Sequence, residues 1–102
     1  MNKVTPFQKK VYALTKKIPP GKVTTYKEIA KQLGKKGQIY RAVGVALKKN
    51  QDRSVPCHRV INSTGFVGQF NQGLKQKIKL LKKEGLIIKK NRIDLKKYFF
   101  KL

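Results

Sequence analysis

The segment Ile18-Pro19-Pro20-Gly21-Lys22, followed by Gly34 and Gly37, cuts the first half of the chain into short pieces. Consecutive prolines remove amide donors and clash with a preceding helical turn, so no helix crosses this point. Upstream, Thr5-Pro6 has the form of an N-cap with proline at the first helical position. Phe7, Val11 and Leu14 then repeat at helical spacing, which predicts a helix ending near Lys17. Downstream, Thr25 with Glu28 three residues on reads as a capping box, predicting a short helix over 26–33 ended by Gly34. After the turn Lys35-Lys36-Gly37, an apolar stripe of Ile39, Ala42, Val43, Ala46 and Leu47 at i, i+3, i+4, i+7 and i+8 marks an amphipathic helix. Its other face carries Arg41, Gly44, Val45 and Lys48, small residues framed by cations.

A short helix, a glycine-containing turn and a second helix with a cationic outer face form the pattern of a helix-turn-helix, although such pairs also occur for packing alone. Charge adds to this: 26 Lys and Arg stand against 4 Asp and Glu, a formal net charge of +22. So few acids cannot organise the cations into ion-pair networks, and a polyanion, nucleic acid first, is the economical partner. The alternative is a solvated lysine face. With 102 residues, 39% of them hydrophobic, the chain suits one domain with a modest core. No apolar run approaches a membrane span and no signal peptide is visible, so a soluble, cytoplasmic, monomeric protein with no membrane partner is expected. One cysteine and one histidine supply neither a disulfide nor a four-ligand zinc site, and no metal or organic cofactor is expected.

From Val55 the pattern changes. Pro56-Cys57-His58-Arg59-Val60-Ile61 leads into the turn cluster Asn62-Ser63-Thr64-Gly65 and then Phe66-Val67-Gly68-Gln69-Phe70, a loop followed by a small hairpin. Residues 73–84 return to helix with Leu74, Ile78 and Leu81 inward, ended by Gly85. Leu86-Ile87-Ile88 with Ile93 and Leu95 suits a terminal β-ribbon around residues 89–92. The expected fold is α+β, mostly helical: a winged helix-turn-helix-like DNA-binding domain with a small hairpin, its core over 6–85 and a terminal extension over 86–102.

Cys57 precedes the sole histidine, and residue types alone leave two readings: an inert buried thiol beside a structural histidine, or a nucleophile whose proton His58 removes, directly or through a water. Glu84 sits in the last turn of its helix, where the macrodipole disfavours negative charge. Either it is a solvated acid among Lys82 and Lys83, or it hydrogen-bonds His58 and holds the tautomer that accepts a proton.

The string Pro56-Cys57-His58-Arg59-Val60, with Tyr40-Arg41-Ala42-Val43-Gly44 upstream and Gly65-Phe66-Val67-Gly68 downstream, closely resembles the O6-alkylguanine-DNA alkyltransferases, also called methylated-DNA-protein-cysteine methyltransferases. The likeness runs from Pro6 to Gly85 and includes, in the family's order, the Thr-Tyr-Lys-Glu helix start and the Leu-Leu-Lys-Lys-Glu-Gly ending. It implies direct-reversal repair of double-stranded DNA, with an alkyl group moved irreversibly from O6 of guanine to Cys57, once per molecule. The family's activating relay carries over to Cys57, His58 and Glu84, with Asn50 bracing the active-site loop. Arg41 corresponds to the arginine that fills the space of the extruded base. Tyr26 corresponds to the tyrosine at the target phosphate that assists proton transfer to guanine, and Lys77 to a lysine on the last core helix. The resemblance places the helix pair in the minor groove, where Ala42, Gly44, Val45 and Lys48 would meet the backbone. A thiolate reaches the alkyl carbon only after the base leaves the stack, which requires an inserted side chain and a tight pocket. Val60, Phe70, Asn71, Gln72 and Lys77 are expected to shape that pocket.

The chain also departs from the family pattern. Most members carry an N-terminal supporting domain, and here support is expected from elsewhere, a separate chain being one source. Gln72 replaces a glycine common in the family, which predicts a narrow pocket that handles methyl better than benzyl. Phe70 replaces a tyrosine; the interval from Tyr26 to Arg41 is one residue longer than usual and that from Asn50 to Cys57 one shorter. Two rivals stand beside alkyl transfer. One is an alkyltransferase-like lesion sensor, a class that usually has tryptophan at the cysteine position; the other is a helix-turn-helix regulator that binds damaged and undamaged DNA alike.

Overall fold

Thr5 and Gln8 cap each other at the start of α1 (Pro6–Thr15): the Thr5 hydroxyl accepts the Gln8 amide at 3.1 Å and the Gln8 side chain accepts the Thr5 amide at 3.0 Å. The computed structural model describes residues 4–34, 39–68 and 73–102. α1 ends two residues earlier than its periodicity predicts. The Lys17 and Ile18 amides turn back to Leu14 and Thr15 in tight i to i+3 bonds, so the chain is already leaving the helix before Pro19. β1 (Thr24–Thr25) runs into α2 (Tyr26–Gln32), where Thr25 accepts the Glu28 amide at 3.0 Å. Only half of the expected capping box forms. The Glu28 carboxylate turns instead to the Leu102 amide, 3.0 Å away, and to the Gln32 side chain at 3.1 Å. The expected turn over 35–37 lies outside the described residues.

α3 (Ile39–Lys48) buries Val43, Ala46 and Leu47 against α1 and α2. Burial of an aliphatic side chain of this size contributes roughly 1.5–3 kcal/mol, and the Tyr12 hydroxyl adds a 2.6 Å bond to the Ala46 carbonyl. Ala42 departs from the predicted stripe and is exposed beside Arg41, so it belongs to the outer face. A one-turn 3-10 helix (Cys57–Arg59) follows, then β2 (Val60–Ile61), α4 (Leu74–Lys83) and α5 (Leu95–Tyr98). α4 ends as predicted: Gly85, at φ 96°, lets the Leu86 amide reach the Leu81 carbonyl at 3.2 Å.

The extended segments pair over long range. The turn at 62–65 forms, with the Asn62 amide on the Phe66 carbonyl at 3.0 Å, but β2 lies parallel to β1 with Thr24 opposite Val60 and Thr25 opposite Ile61. Phe66 bridges to Arg92 rather than extending a local hairpin, and Gln69 and Phe70 lie outside the described residues. The terminal ribbon is reduced to Lys89 and Arg92, which exchange two backbone bonds across a turn with Lys90 and Asn91 at positive φ. Leu95 then opens α5, capped by Asp94, instead of continuing a strand. Beyond it, Phe99 lies beside Val23, and Val23 bonds both Tyr98 and Phe100. Residues 86–102 therefore help build a second core, in which Leu86, Ile93 and Tyr98 meet Val23, Ile61, Val67 and Leu81. No described helix is long and apolar enough to cross a membrane.

Gly65 locks this arrangement. At φ +90° a Cβ would lie 2.8 Å from the Ile93 carbonyl oxygen, whose residue donates its amide to Gly65 O at 2.8 Å. Gly65→Ala is expected to cost about 2 kcal/mol and lower the melting temperature by about 10 °C. An unchanged thermal transition would show that the two segments are not in contact.

Candidate active site

Pro56 starts the site. With φ −80° and ψ 68° it forms an inverse γ-turn that closes the Cys57 amide onto the Val55 carbonyl at 2.8 Å, and the following 3-10 turn places Cys57 inward. The thiol is 7% exposed, within the core formed with α1, α2 and α3. Asn50, just past α3, donates its amide nitrogen to Cys57 Sγ at 3.1 Å and to the Asp52 carbonyl at 2.9 Å, while its oxygen accepts the Asp52 amide. That side chain holds the loop and the sulfur together, the bracing role predicted for Asn50. Burial pushes the Cys57 thiol up to about 11, against the lowering effects of the Asn50 hydrogen bond and the Lys77 charge. At neutral pH the resting group is a thiol, so nucleophilic attack requires a base.

His58 Nε2 lies 2.7 Å from Glu84 Oε2. Burial would raise the pKa of Glu84, but hydrogen bonds from Arg59 and His58 outweigh it and hold the carboxyl below its usual range. An ionised carboxylate only accepts hydrogen bonds, so Nε2 carries the proton and Nδ1 is left as the basic nitrogen. Burial lowers the pKa of His58 despite the carboxylate, keeping the ring neutral and able to accept. The arrangement anticipated for His58 and Glu84 is thus in place.

Arg59 was not singled out as a site residue from the sequence. Its Nη2 meets Glu84 Oε2 at 2.7 Å, its Nε meets both carboxylate oxygens, and Nη1 donates to the Ile18 carbonyl at 2.9 Å. The Gly21 amide reaches the same carboxylate at 3.3 Å. Glu84 therefore joins the end of α4 to the proline break and to the active-site turn. The available signal was charge counting: with so few acids, a carboxylate beside a Cys-His-Arg string has a cation within reach.

A cavity of about 520 Å³ opens between Cys57 and the outer face of α3, lined by Tyr26, Arg41, Gly44, Val45 and Lys48 among others. Five predicted DNA-facing or catalytic residues thus share one wall with the thiol. Gly44 is not demanded from within, since a Cβ there would stand 3.9 Å from the Tyr26 ring; its smallness leaves room on the cavity side. Asn62 and Phe66 also line the cavity and were read from the sequence only as turn and strand residues.

Two pocket expectations are corrected. Val60 is fully buried in the core and presents its carbonyl to Lys77 Nζ at 2.7 Å rather than a side chain to the cavity. Lys77 is fully buried behind Tyr26, its Nζ 3.4 Å from the phenol oxygen. Neither is among the described residues that line the cavity. The reason is the parallel β1–β2 pair, which draws Val60 into the interior. Phe70, Asn71 and Gln72, the other predicted pocket residues, lie outside the described residues. Burial pushes Tyr26 up to about 12, so it stays a phenol with a proton to donate.

Burial also lowers Lys77 to about 7 from an ordinary 10.5. Between these values the unfolded chain binds a proton that the folded one does not, so stability rises with pH, by up to about 1.4 kcal/mol per pH unit. Cys57, shifted upward from 9.0, acts in the opposite sense above about pH 9. Urea denaturation is therefore expected to show a gain of about 2 kcal/mol from pH 7 to 9, and Lys77→Met should flatten that rise. A flat wild-type profile would mean that the ammonium is solvated.

Among the described residues no cluster of three or more His, Cys, Asp and Glu could hold a metal ion. Residues 6–86 match the model of the 6-O-methylguanine DNA methyltransferase family, DNA binding domain. The chain belongs to this methyltransferase family. It is 47% identical over 87 residues to a methylated-DNA–protein-cysteine methyltransferase of Saccharolobus islandicus, covering 84% of this chain and 55% of that protein. To a bifunctional methyltransferase/endonuclease of Picrophilus torridus it is 42% identical over 91 residues, 88% of this chain and 30% of the other. The chain thus spans about half or less of these relatives' length. Among solved structures it is similar to S. pombe Atl1 in complex with damaged DNA containing O6-carboxymethylguanine. That match has a TM-score of 0.83 and 36% identity and covers 94% of this chain and 95% of that one. It is also similar to Mycobacterium tuberculosis OGT in complex with DNA, at a TM-score of 0.75 and 40% identity, covering 80% and 51%. These likenesses extend the family's α+β, mostly helical fold to this chain.

Proposed function

We propose that the protein repairs O6-methylguanine in double-stranded DNA by transferring the methyl group irreversibly to Cys57, one event per molecule. The observation that carries this reading is the Cys57 thiol on the wall of a cavity formed by the cationic face of α3, held by Asn50 and next in chain to a His58 oriented by Glu84. α3 and the excess of lysine supply affinity for phosphate, and Arg41, exposed on the cavity rim, takes the place of the base that swings into the cavity. The thiol proton passes to His58 Nδ1, through a water in the relay that the family resemblance implies. Sulfur then forms a bond to the methyl carbon as the bond from that carbon to O6 breaks and its electrons return to the purine. Tyr26, whose oxygen accepts from Lys77, offers its proton toward the departing base. The products are S-methylcysteine and guanine; no step restores the thiol.

A second reading, an Atl1-like lesion sensor that binds without transfer, is favoured by one observation: the likeness to S. pombe Atl1 covers nearly all of both chains. Cys57 and its activating groups favour transfer. Intact mass and peptide mapping after mixing with a duplex carrying one O6-methylguanine separates the two. One added methyl on Cys57, matching loss from the DNA and no second turnover is the expected result. Selective binding with an unmodified thiol would establish the sensor, and equal binding to damaged and undamaged duplex would point to a regulator.

A further inference from the structure

Cys57 divides two cavities. The one in front faces α3; a second, of about 590 Å³, lies behind it, walled by the loop over 50–59 and by Gln76 and Leu80 of α4. Cys57 is the one described residue that lines both. His58 and Arg59 line the rear cavity and not the front one. We propose that the rear cavity is a second entrance to Cys57, through which small neutral electrophiles alkylate the thiol without passing the α3 face.

Three observations support it. With 7% of Cys57 exposed, solutes reach the sulfur by a cavity rather than across open surface. The rear cavity has polar walls, Asn50, Gln51, Asp52 and Ser54, that suit a small polar solute, and its volume far exceeds that of a haloacetamide. The base that must take the thiol proton opens on the same side. With iodoacetamide the step balances: a sulfur to carbon bond forms, the carbon to iodine bond breaks, iodide leaves, and the thiol proton passes to His58 and on to solvent. A polyanion docked on α3 covers the front alone, so the thiol remains open to such reagents while the protein is bound. Only this last consequence rests on the function proposed above.

The test is the rate of Cys57 carbamidomethylation by iodoacetamide, followed by intact mass on the full chain. In free protein, Gln76→Trp, which fills the rear cavity from α4, should slow the reaction about fivefold or more, while Val45→Trp at the front changes it less than about twofold. Gln51→Trp plugs the same cavity from the opposite wall and covers the case in which the helix variant misfolds. With saturating unmodified duplex the wild-type rate should stay within about threefold. The proposal is overturned if the rear plugs leave the rate unchanged while Val45→Trp slows it, or if duplex protects Cys57 by about tenfold or more. Because the free-protein arm needs no DNA, a failure of methyl transfer would sink the proposed function and leave the second entrance standing.

Discussion

Cys57→Ser is expected to abolish methyl transfer, lowering its rate by at least about 10⁴-fold, while binding to a duplex carrying O6-methylguanine stays within about threefold. A serine hydroxyl keeps the Cβ position and can still accept from Asn50, so the loop over 50–57 should hold its shape. What is lost is the acidity and polarisability of sulfur, which give an alkyl carbon a competent nucleophile. The smaller oxygen leaves a slight void in the core around Val43, Leu47 and Val60, worth about 1 kcal/mol of stability. Mass spectrometry of the protein and anisotropy of labelled duplex read the two effects separately. Methyl appearing anywhere on the serine variant at the wild-type rate would show that another residue is the acceptor.

Glu84→Gln should damage both activity and stability. The carboxylate receives His58, a forked contact from Arg59 and the Gly21 amide. A carboxamide has one acceptor oxygen and turns its NH2 group toward donors, so at least one contact becomes repulsive. The Arg59 side chain is 15% exposed, and leaving its charge without an anion costs about 3 kcal/mol. His58 loses the partner that keeps the proton on Nε2, and the basic nitrogen no longer faces the thiol in the right tautomer. Transfer is expected to slow by about 100-fold. The variant also tests linkage. The carboxyl is held below its usual 4.5, so its stabilising contribution is complete above that value and is lost as pH falls through the folded pKa. Glu84→Gln should lack that step in an acid titration of stability. A full-strength acid step in the variant would place the responsible carboxylate elsewhere.

Much of the site was legible because its residues are close in the chain or marked by unusual placement. Asn50, Cys57 and His58 fall within one loop, and Glu84 stood out as an acid at a helix C-terminus. The structure supplies the reason for that placement: Arg59 and His58 offset the unfavourable dipole. Arg59 itself was passed over because residues in an irregular turn have no periodicity from which a facing can be read. Val60 was misplaced for a related cause. An apolar residue after a catalytic string fits a pocket wall or a core strand equally well, and only the pairing of Val60 with Thr24 decides between them. Glu28 tells the same story: local chemistry points it at its own N-cap, yet the Leu102 amide, far along the chain, competes for it and wins.

Helix starts, helix stops and the amphipathic face of α3 follow from nearest-neighbour effects: proline geometry, side-chain caps, glycine at positive φ and a repeat of three to four residues. These act over a few residues and need no knowledge of the rest of the chain. The parallel β1–β2 pair, the return of residues 86–102 into the second core and the shared carboxylate of Glu84 belong to the tertiary structure. Each joins segments far apart in sequence, and short strands and single hydrogen bonds carry too little local preference to choose a partner. They form because burying Val23, Ile61, Leu81 and Tyr98 together removes more apolar surface from water than any local hairpin could.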